Sequence, residues 1–553
     1  MTRYIFIAGG VMSGIGKGIS TASIGAILIS CGYRVSCVKI DPYLNVDAGT
    51  MNPVEHGEVF VTDDGLECDQ DVGNYERFLD QNLYRANYMT SGQVYQTVIN
   101  RERSLGYDGK CVETVPHIPE EIIARLDRVA ERTKADFVLI EIGGTVGEYQ
   151  NLIFFEAARM MHLSLPSRVL FVLVSYLPIP AMLGEMKTKP TQHAVRQLNA
   201  SGIQPDIIIA RSAVPLDLPR KRKIAVFCNI RVEDVISAPD IKSIYEVPVN
   251  FEKEEISARI FEKFGIPTRK ADLARWARLG RKVASLKKTV RIGIIGKYFA
   301  TGRFTLSDSY ISVIEAIKHA AWDIGAKPDI QWLDAERYEA NTPNVRELGK
   351  LDGIIVPGGF GGRGIEGKMR AIRYARENDI PFFGLCYGMQ LATIEFARTV
   401  AGLKRACTTE VDPQTPHPVI ATMEEQEKNI AMGKFGGSMR LGAHPCQLRK
   451  GTLSYRAYAE NTITERHRHR YEFNNHFREE LERAGLVIAG ANPERNLVEI
   501  VELKKHPFFV GTQFHPELKS RPFRPHPLFL AFLRACLAES RRASRKRAES
   551  KRR

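Results

Sequence analysis

Short apolar runs, often ending in glycine, alternate along this chain with longer stretches of helical periodicity. Residues 4–8, 35–40, 137–140, 169–174 and 207–210 are nearly free of polar side chains. Such runs suit parallel strands covered by helices on both faces, because neither face of the strand meets water. From about residue 268 to 288 the pattern turns basic and helix-prone (ADLARWARLGRKVASLKK), and a fresh strand follows over 290–295. The alternation then repeats through 353–356, 380–385, 497–503 and 508–514. The expected fold class is α/β with two domains, each a mostly parallel sheet flanked by helices. The first spans residues 1–267, a linker covers 268–289, and the second domain spans 290–540. There is no tandem repeat of the solenoid kind.

A length of 553 residues is too great for one hydrophobic core, in agreement with two domains. The net charge of +14 raises the question of a polynucleotide partner. Half of it sits in the terminal stretch RRASRKRAESKRR, where eight basic residues stand against one acidic. The remainder is spread thinly, enough to attract anionic nucleotides but no argument for a nucleic-acid groove. The stretch 541–553 reads as a disordered, solvated extension, with contact to an acidic partner as the alternative. Nine scattered cysteines without a C-x-x-C pair indicate neither a disulfide framework nor a zinc site, and they suit a reducing cytoplasm. The longest apolar stretch, 169–183, is broken by Pro178 and Pro180, and the N-terminus has too short an apolar run for a signal peptide. The expectation is a soluble protein with no membrane partner.

Two loops carry chemistry. After the opening run comes GGVMSGIGKG, with Gly9, Gly10, Ser13, Gly14, Gly16, Lys17 and Gly18, followed by a helix-compatible segment. A glycine turn between strand and helix lets backbone N–H groups converge on phosphate oxygens, and a lysine can reach the outer phosphates. The match to the usual phosphate loop is imperfect: Val11 stands where the first glycine belongs, and Gly18 replaces the hydroxyl residue that would hold magnesium. A purely structural glycine turn therefore stays open. If a nucleoside triphosphate binds, magnesium needs carboxylates from elsewhere. Asp71, in the acidic cluster Glu67-Cys-Asp69-Gln-Asp71, and Glu141, at the end of the run 137–140, are the candidates. Asp71 also reads as a solvated surface charge. Lys187, Lys189, Gln192 and Lys223 supply cations and an amide around polar loops, suited to a second triphosphate or to a solvated charge run.

The second loop is sharper. Gly384-Leu-Cys386-Tyr-Gly388 lies between a strand and a helix pattern, the thiol counterpart of a nucleophile elbow. Far downstream, His515-Pro-Glu517 follows a strand and offers a general base with its orienting carboxylate. The glycine loop 357–361 could present N–H groups to an oxyanion. Elbow, base and glycine loop together argue against an inert packed cysteine.

With these residues in view the chain resembles the CTP synthases, in which a P-loop NTPase-like amidoligase domain is fused to a flavodoxin-like class I glutamine amidotransferase domain. The resemblance rests on GGVMSGIGKG, KIDPYLNVDAGTM, HGEVFVTDDG, EIGGTVGE, GEMKTKPTQH, PGGFGGRGIEG, MRLGA and ERHRHRYE, in order, and extends to about residue 537. It implies ATP-dependent amination of UTP to CTP through a 4-phosphorylated UTP, with ammonia from glutamine. The implied ATP contacts are Ser13, Gly14, Gly16, Lys17, Gly18, Asp71, Arg211 and Asp240, with Mg²⁺ on Asp71 and Glu141. Ser13, Glu148, Lys187, Lys189, Gln192 and Lys223 are implied for UTP or inhibitory CTP, and His56 and Val59 for the ammonia passage. Cys386 becomes the nucleophile, His515 the base and Glu517 its orienter. Gly359 and the Tyr387 backbone then hold the oxyanion, and Gln390, Glu410 and Arg470 position glutamine. Arg363 is implied for the allosteric activator GTP. Apart from resemblance, Arg470 falls in a charged run that reads as a solvated face. The resemblance further implies a homotetramer, allows filaments, and requires no organic cofactor. Gly14 stands where the family often has serine, and Tyr387 where leucine is common. Another glutamine-dependent P-loop amidoligase with a different acceptor is the alternative, and a filament-forming relative without chemistry is a third reading.

Overall fold

The computed structural model describes residues 1–297, 300–301, 304–305, 307–339, 342–422, 426, 428, 432 and 437–550. The chain divides into two compact units, Met1–Ala48 with Asp71–Ala284, and Gly49–Gln70 with Ser285–Arg553.

In the first unit, among the described residues, seven parallel strands form one sheet. Their spatial order is Tyr88–Thr90, Val35–Asp41, Phe137–Ile142, Arg3–Gly9, Val169–Tyr176, Ile207–Ser212 and Val235–Pro239. The five apolar runs legible in the sequence are the five inner strands. The two edge strands are short or carry proline, and the pattern did not reveal them. Ile5, Ile7, Val38, Ile40, Val138, Ile140, Leu173 and Ile208 are buried in the sheet, which is why these runs tolerate so few polar residues. The stretch expected to be a linker instead holds the helix Ala274–Ser285, which counts with this unit. Its Trp276 is fully buried and stacks on Phe78 at 5.4 Å, so an apolar stripe on a basic helix is what ties it down.

In the second unit the strands Lys327–Asp334, Thr289–Gly296, Gly353–Val356, Phe382–Leu385 and Phe509–Thr512 run parallel. The sheet continues antiparallel through Val498–Glu502, Val487–Ala491, Arg440–Leu448 and Thr462–His469. Helices such as Ile365–Glu377 and Tyr387–Thr399 flank the parallel half. The last helix, Pro527–Ser550, corrects the expectation of a disordered tail from 541. Alanine, arginine, lysine and glutamate are strong helix formers, and here they prolong a helix already nucleated by buried Leu528, Phe529, Phe532 and Leu533. Residues 551–553 lie outside the described residues.

The segment Gly49–Gln70 is the main surprise in chain organisation, because it sits in the N-terminal third of the sequence yet groups with the C-terminal unit. It forms a hairpin from Val59–Val61 and Glu67–Asp69. Arg466 pairs with Asp63, and Arg468 Nε donates to Glu67 Oε1 at 2.8 Å. Ala443 N–H donates to the Asp63 carbonyl at 2.9 Å, and the Ser312 N–H donates to Glu58. Gly442, at φ 86°, is required here: a Cβ on it would lie 2.7 Å from the Asp63 carbonyl oxygen.

Candidate active site

The strand Phe382–Leu385 ends at Cys386, and the helix Tyr387–Thr399 begins on the next residue. Cys386 has φ 49° and ψ −100°, a strained conformation for a non-glycine residue that the surroundings must enforce. They do so by close approach: a Cβ on Gly388 would lie 2.0 Å from the Val356 carbonyl oxygen, and one on Gly384 would lie 2.7 Å from the Gly388 backbone. The Cys386 N–H donates to Thr512 O at 2.6 Å, fixing the elbow to the neighbouring strand. Tyr387 is the first helical residue, so its N–H is one of those that the hydrogen bonds of the helix itself do not use.

His515 lies three residues beyond the strand Phe509–Thr512, and its Nδ1 bonds Glu517 Oε1 at 2.7 Å. Gly358 brings the two catalytic candidates to one point: a Cβ there would sit 3.0 Å from His515 Cε1 and 3.8 Å from Cys386 Cβ. The opposite ring nitrogen, Nε2, is buried, and Cys386 is among the groups that act on the ring. Burial opposes a charge on His515, but Glu517 and then Cys386 outweigh it and hold the imidazole well above its ordinary value. A ring that keeps its proton in this way is ready to deliver it to a departing amine. Cys386, His515, Glu517 and the loop 357–360 line one cleft of about 660 Å³ with Glu58, Val59 and Arg468. Val59 thus stands in the wall of the thiol's own cleft. His56 lies on the same hairpin segment, its Nε2 3.6 Å from Asp69.

The charged run read as a solvated face is buried. In the strand Thr462–His469, Arg466 and His467 are 0% exposed. Period-2 alternation sends Arg466 and Arg468 toward the hairpin, and His467 and His469 into an ionic core with Arg440, Glu472 and Glu499. Arg440 donates to Glu472 at 3.2 Å and to Glu499 at 2.7 Å. Burial pushes Glu472 up to about 8, raises Glu499 as well, and drives both histidines well below their usual value, while the Arg440 guanidinium opposes the rise of both carboxyls. The backbone of this strand also reaches the reacting groups: the His515 N–H donates to Arg466 O at 2.8 Å, and Cys386 Sγ lies 3.8 Å from Arg468 O. Arg440→Met, which strands a buried carboxylate, is expected to cost about 3–5 kcal/mol, measured as a lower denaturation midpoint.

Around the loop 357–361, Glu410 Oε1 accepts from the Gly361 N–H at 2.6 Å. Burial raises the Glu410 carboxyl, opposed by Gly361, Lys297 and Arg470. Arg470 donates to Ser438 Oγ at 3.2 Å. Gln390 is buried behind the elbow, its Nε2 donating to Tyr471 O at 2.8 Å, and does not line the cleft. Arg363, partly exposed, bonds the Lys297 carbonyl at 2.7 Å and pairs with Glu336 at 3.2 Å.

In the first unit the glycine loop follows the central strand Arg3–Gly9, and the helix Lys17–Ser30 starts from Gly16 in the left-handed region, φ 83°. Lys17 Nζ donates to Gly144 O at 2.9 Å, and Gly9 is kept bare by it, since a Cβ there would sit 2.7 Å from the lysine side chain. Gly18 has a specific cause: a Cβ on it would fall 1.9 Å from Asp71 Oδ1. The carboxylate fills the space that the hydroxyl of the usual loop would take. Asp71 is therefore no surface charge. Lys39, which the sequence reading missed, donates to Asp71 Oδ2 at 2.7 Å and to Glu141 Oε1 at 3.1 Å. Glu141 lies one residue inside the strand Phe137–Ile142 rather than past its end, and Tyr75 hydroxyl donates to its other oxygen. Burial and the Asp71 charge push Glu141 up to about 7, while Lys39 outweighs burial and holds Asp71 below the usual range. Asp41 lies 3.6 Å from the same Lys39, and Lys17 also acts on the cluster; the carboxylate oxygens of Asp71 and Glu141 are donors of the kind that fit a magnesium ion.

Arg211 Nη1 donates to Ile15 O at 3.0 Å and its Nη2 to Asp240 at 2.6 Å. Both line a cleft of about 680 Å³ with Gly16, Ile244 and Phe251, an apolar-walled slot beside the glycine loop. Ser13 and Gly14 are exposed on the loop. Glu148 Oε1 accepts from the Thr145 N–H at 2.9 Å, close to Gly144 and hence to Lys17. The helix Lys189–Ala200 packs Ala194 against Gly10. Lys187 pairs with Glu185 at 2.7 Å, and Arg220 and Lys223 act more weakly on the same carboxylate. Lys189 is exposed, and Gln192 is buried with its Oε1 unpartnered.

An elbow thiol with a His–Glu partner, joined in one chain to a nucleotide-type glycine loop with paired carboxylates, defines a glutamine-hydrolysing ligase. Residues 3–266 match the family profile for the CTP synthase N-terminus, and residues 305–535 match class-I glutamine amidotransferase. The CTP synthase of Methanothermobacter thermautotrophicus is 50% identical over 98% of this chain and 99% of its own. That of Geobacillus kaustophilus is 49% identical over 98% of this chain and 100% of its own. The glutaminase domain of a Trypanosoma brucei CTPS with bound acivicin is 36% identical, covering 45% of this chain and 94% of that domain, with a TM-score of 0.42. The chain belongs to the CTP synthase family. The reading as an amidoligase with a different acceptor finds no support in these matches. No helix among the described residues is long and apolar enough to cross a membrane.

Proposed function

We propose that this chain makes CTP from UTP, ATP and glutamine, with its two chemistries divided between the two units. The carrying observation is the His515–Glu517 contact of 2.7 Å beside Cys386 in a cleft walled by the glycine loop. Cys386 Sγ attacks the side-chain carbonyl carbon of glutamine, and the developing oxyanion is held by the N–H groups of Gly359 and Tyr387. His515 passes its proton to the amide nitrogen, ammonia leaves, and a thioester remains on Cys386. His515 then takes a proton from water as the water oxygen attacks the thioester carbon, and the C–S bond breaks to release glutamate and return the Cys386 thiolate. Glu410 suits the α-ammonium of glutamine and Arg470 its α-carboxylate, by charge. Val59 in the cleft wall, with His56 on the same hairpin, supports their role at the start of the ammonia passage.

In the first unit, Lys17 and the backbone of Ser13, Gly14, Gly16 and Gly18 hold ATP phosphates, and Arg211 with Asp240 borders the base slot. Asp71 and Glu141 hold magnesium, which when bound neutralises phosphate charge and orients the phosphates. Lys187, Lys189, Gln192 and Lys223 hold UTP, whose 4-oxygen accepts the γ-phosphoryl group. Ammonia then displaces that phosphate at C4. GTP activation through Arg363, CTP feedback near Glu148, assembly as a homotetramer and a cytoplasmic setting belong to the same reading.

The test is direct. Protein mixed with ATP, magnesium, glutamine and UTP is expected to convert the uracil absorption spectrum into that of cytosine. Glutamine hydrolysis without any cytosine product would refute the acceptor assignment.

A further inference from the structure

Tyr387 does more than lend its backbone N–H. Its hydroxyl donates to the Gly361 carbonyl at 2.9 Å, joining the elbow to the end of the glycine loop 357–361. Gly361 is held from two further directions: its N–H donates to Glu410 at 2.6 Å, and Lys297 Nζ donates to its carbonyl at 3.2 Å. Tyr387 is 1% exposed, and two amines approach its ring, Lys297 Nζ at 5.8 Å and Lys368 Nζ at 5.5 Å from its centroid. Lys368 is fully buried, and its ammonium nitrogen has no hydrogen-bond acceptor. The ring face is therefore its nearest compensation. Burial, with Lys297 and Arg363 nearby, draws Lys368 down to about 7. A cation left in such a place marks the ring's position as tightly determined, since either a shift or a loss of the ring would leave the amine uncompensated.

We propose that Tyr387 is a positioning residue for glutamine hydrolysis, whose hydroxyl locks the oxyanion loop 357–361 to the nucleophile elbow at the spacing the tetrahedral intermediate requires. The inference rests on the reading of Cys386 as the glutaminase nucleophile. The geometry couples the three parts of the site through one peptide: Gly361 is tied to the elbow by Tyr387 and to the glutamine-recognising carboxylate by Glu410. An oxyanion donor helps in proportion to how well it is placed for the transition state, and misplacement costs turnover more than substrate binding.

The experiment uses the full chain with Tyr387→Phe and Tyr387→Leu, both lacking the hydroxyl and the first keeping the ring over Lys368. The kcat of glutamine hydrolysis is expected to fall about tenfold in each, as the loss of one productive hydrogen bond predicts, with KM for glutamine within about twofold. The Phe variant is expected to keep the unaltered melting temperature. Unaltered kcat in either variant overturns the proposal, as does a fall in kcat that comes only with a matching rise in KM and a lower melting temperature, which is the mark of a structural role. Alkylation of the unaltered protein with iodoacetamide separates this from the underlying reading. If Cys386 is modified and hydrolysis persists, the nucleophile assignment itself fails.

Discussion

Cys386→Ala is expected to lower glutamine-driven CTP formation by roughly 10⁴-fold or more, the scale seen when a nucleophile is removed, while synthesis from added ammonium salt continues at its unaltered rate. The expectation follows from where the thiol sits. Its neighbours His515, Glu517 and the loop 357–360 all belong to the second unit, and Lys17, Asp71 and Glu141 all belong to the first. The strained backbone at Cys386 is set by glycine contacts on both sides, which alanine does not disturb, so the fold of the unit should survive. Parallel assays with glutamine and with ammonia on the same preparation read the outcome. Loss of the ammonia route in a folded variant would refute the division of labour.

Lys17→Ala is expected to cost both routes together, by about 10²–10³-fold, the usual scale for one preorganised charge on a transferring group. Lys17 stands at the first residue of its helix and bonds Gly144 O, among the carboxylates of Asp71 and Glu141. Burial lowers its hold on the proton while Glu141 raises it, so the charge there depends on the neighbouring acids. Glutaminase activity measured alone is the control, because hydrolysis of glutamine at Cys386 does not use this lysine. A Lys17→Ala protein that still makes CTP from ammonia at the unaltered rate would show that the glycine loop is structural.

Much of this was legible in the chain. Strands buried on both faces announce themselves as unbroken apolar runs, and the five inner strands of the first unit did so. Glycine at an elbow has a steric cause, so Gly384 and Gly388 mark Cys386 without any coordinates. The His515–Glu517 pair is close in sequence, and local spacing alone brings the two together. What stayed hidden depends on partners far away. The alternation ERHRHR is a strand pattern, but charged side chains on both faces imitate a solvated surface until Asp63, Glu67, Arg440, Glu472 and Glu499 are seen beside it. Nothing around Lys39 in the run 35–40 marks it as more than a strand residue, and only the fold sets it between Asp71 and Glu141.

The sequence by itself determined the two α/β units, the cysteine elbow and the neighbouring His515–Glu517 pair, and the strand–glycine loop–helix beginning. All of these arise from steric and periodic rules that act over a few residues. Tertiary structure alone decided that the hairpin of Gly49–Gln70 belongs with the C-terminal unit, that Asp71 occupies the space above Gly18, and that a run of charges becomes the wall behind the thiol. The physical reason is one and the same. Burying a charge is costly unless an opposite charge, a hydrogen-bond partner or a ring face meets it, and which residue does so is settled by the folded chain rather than by its neighbours in sequence.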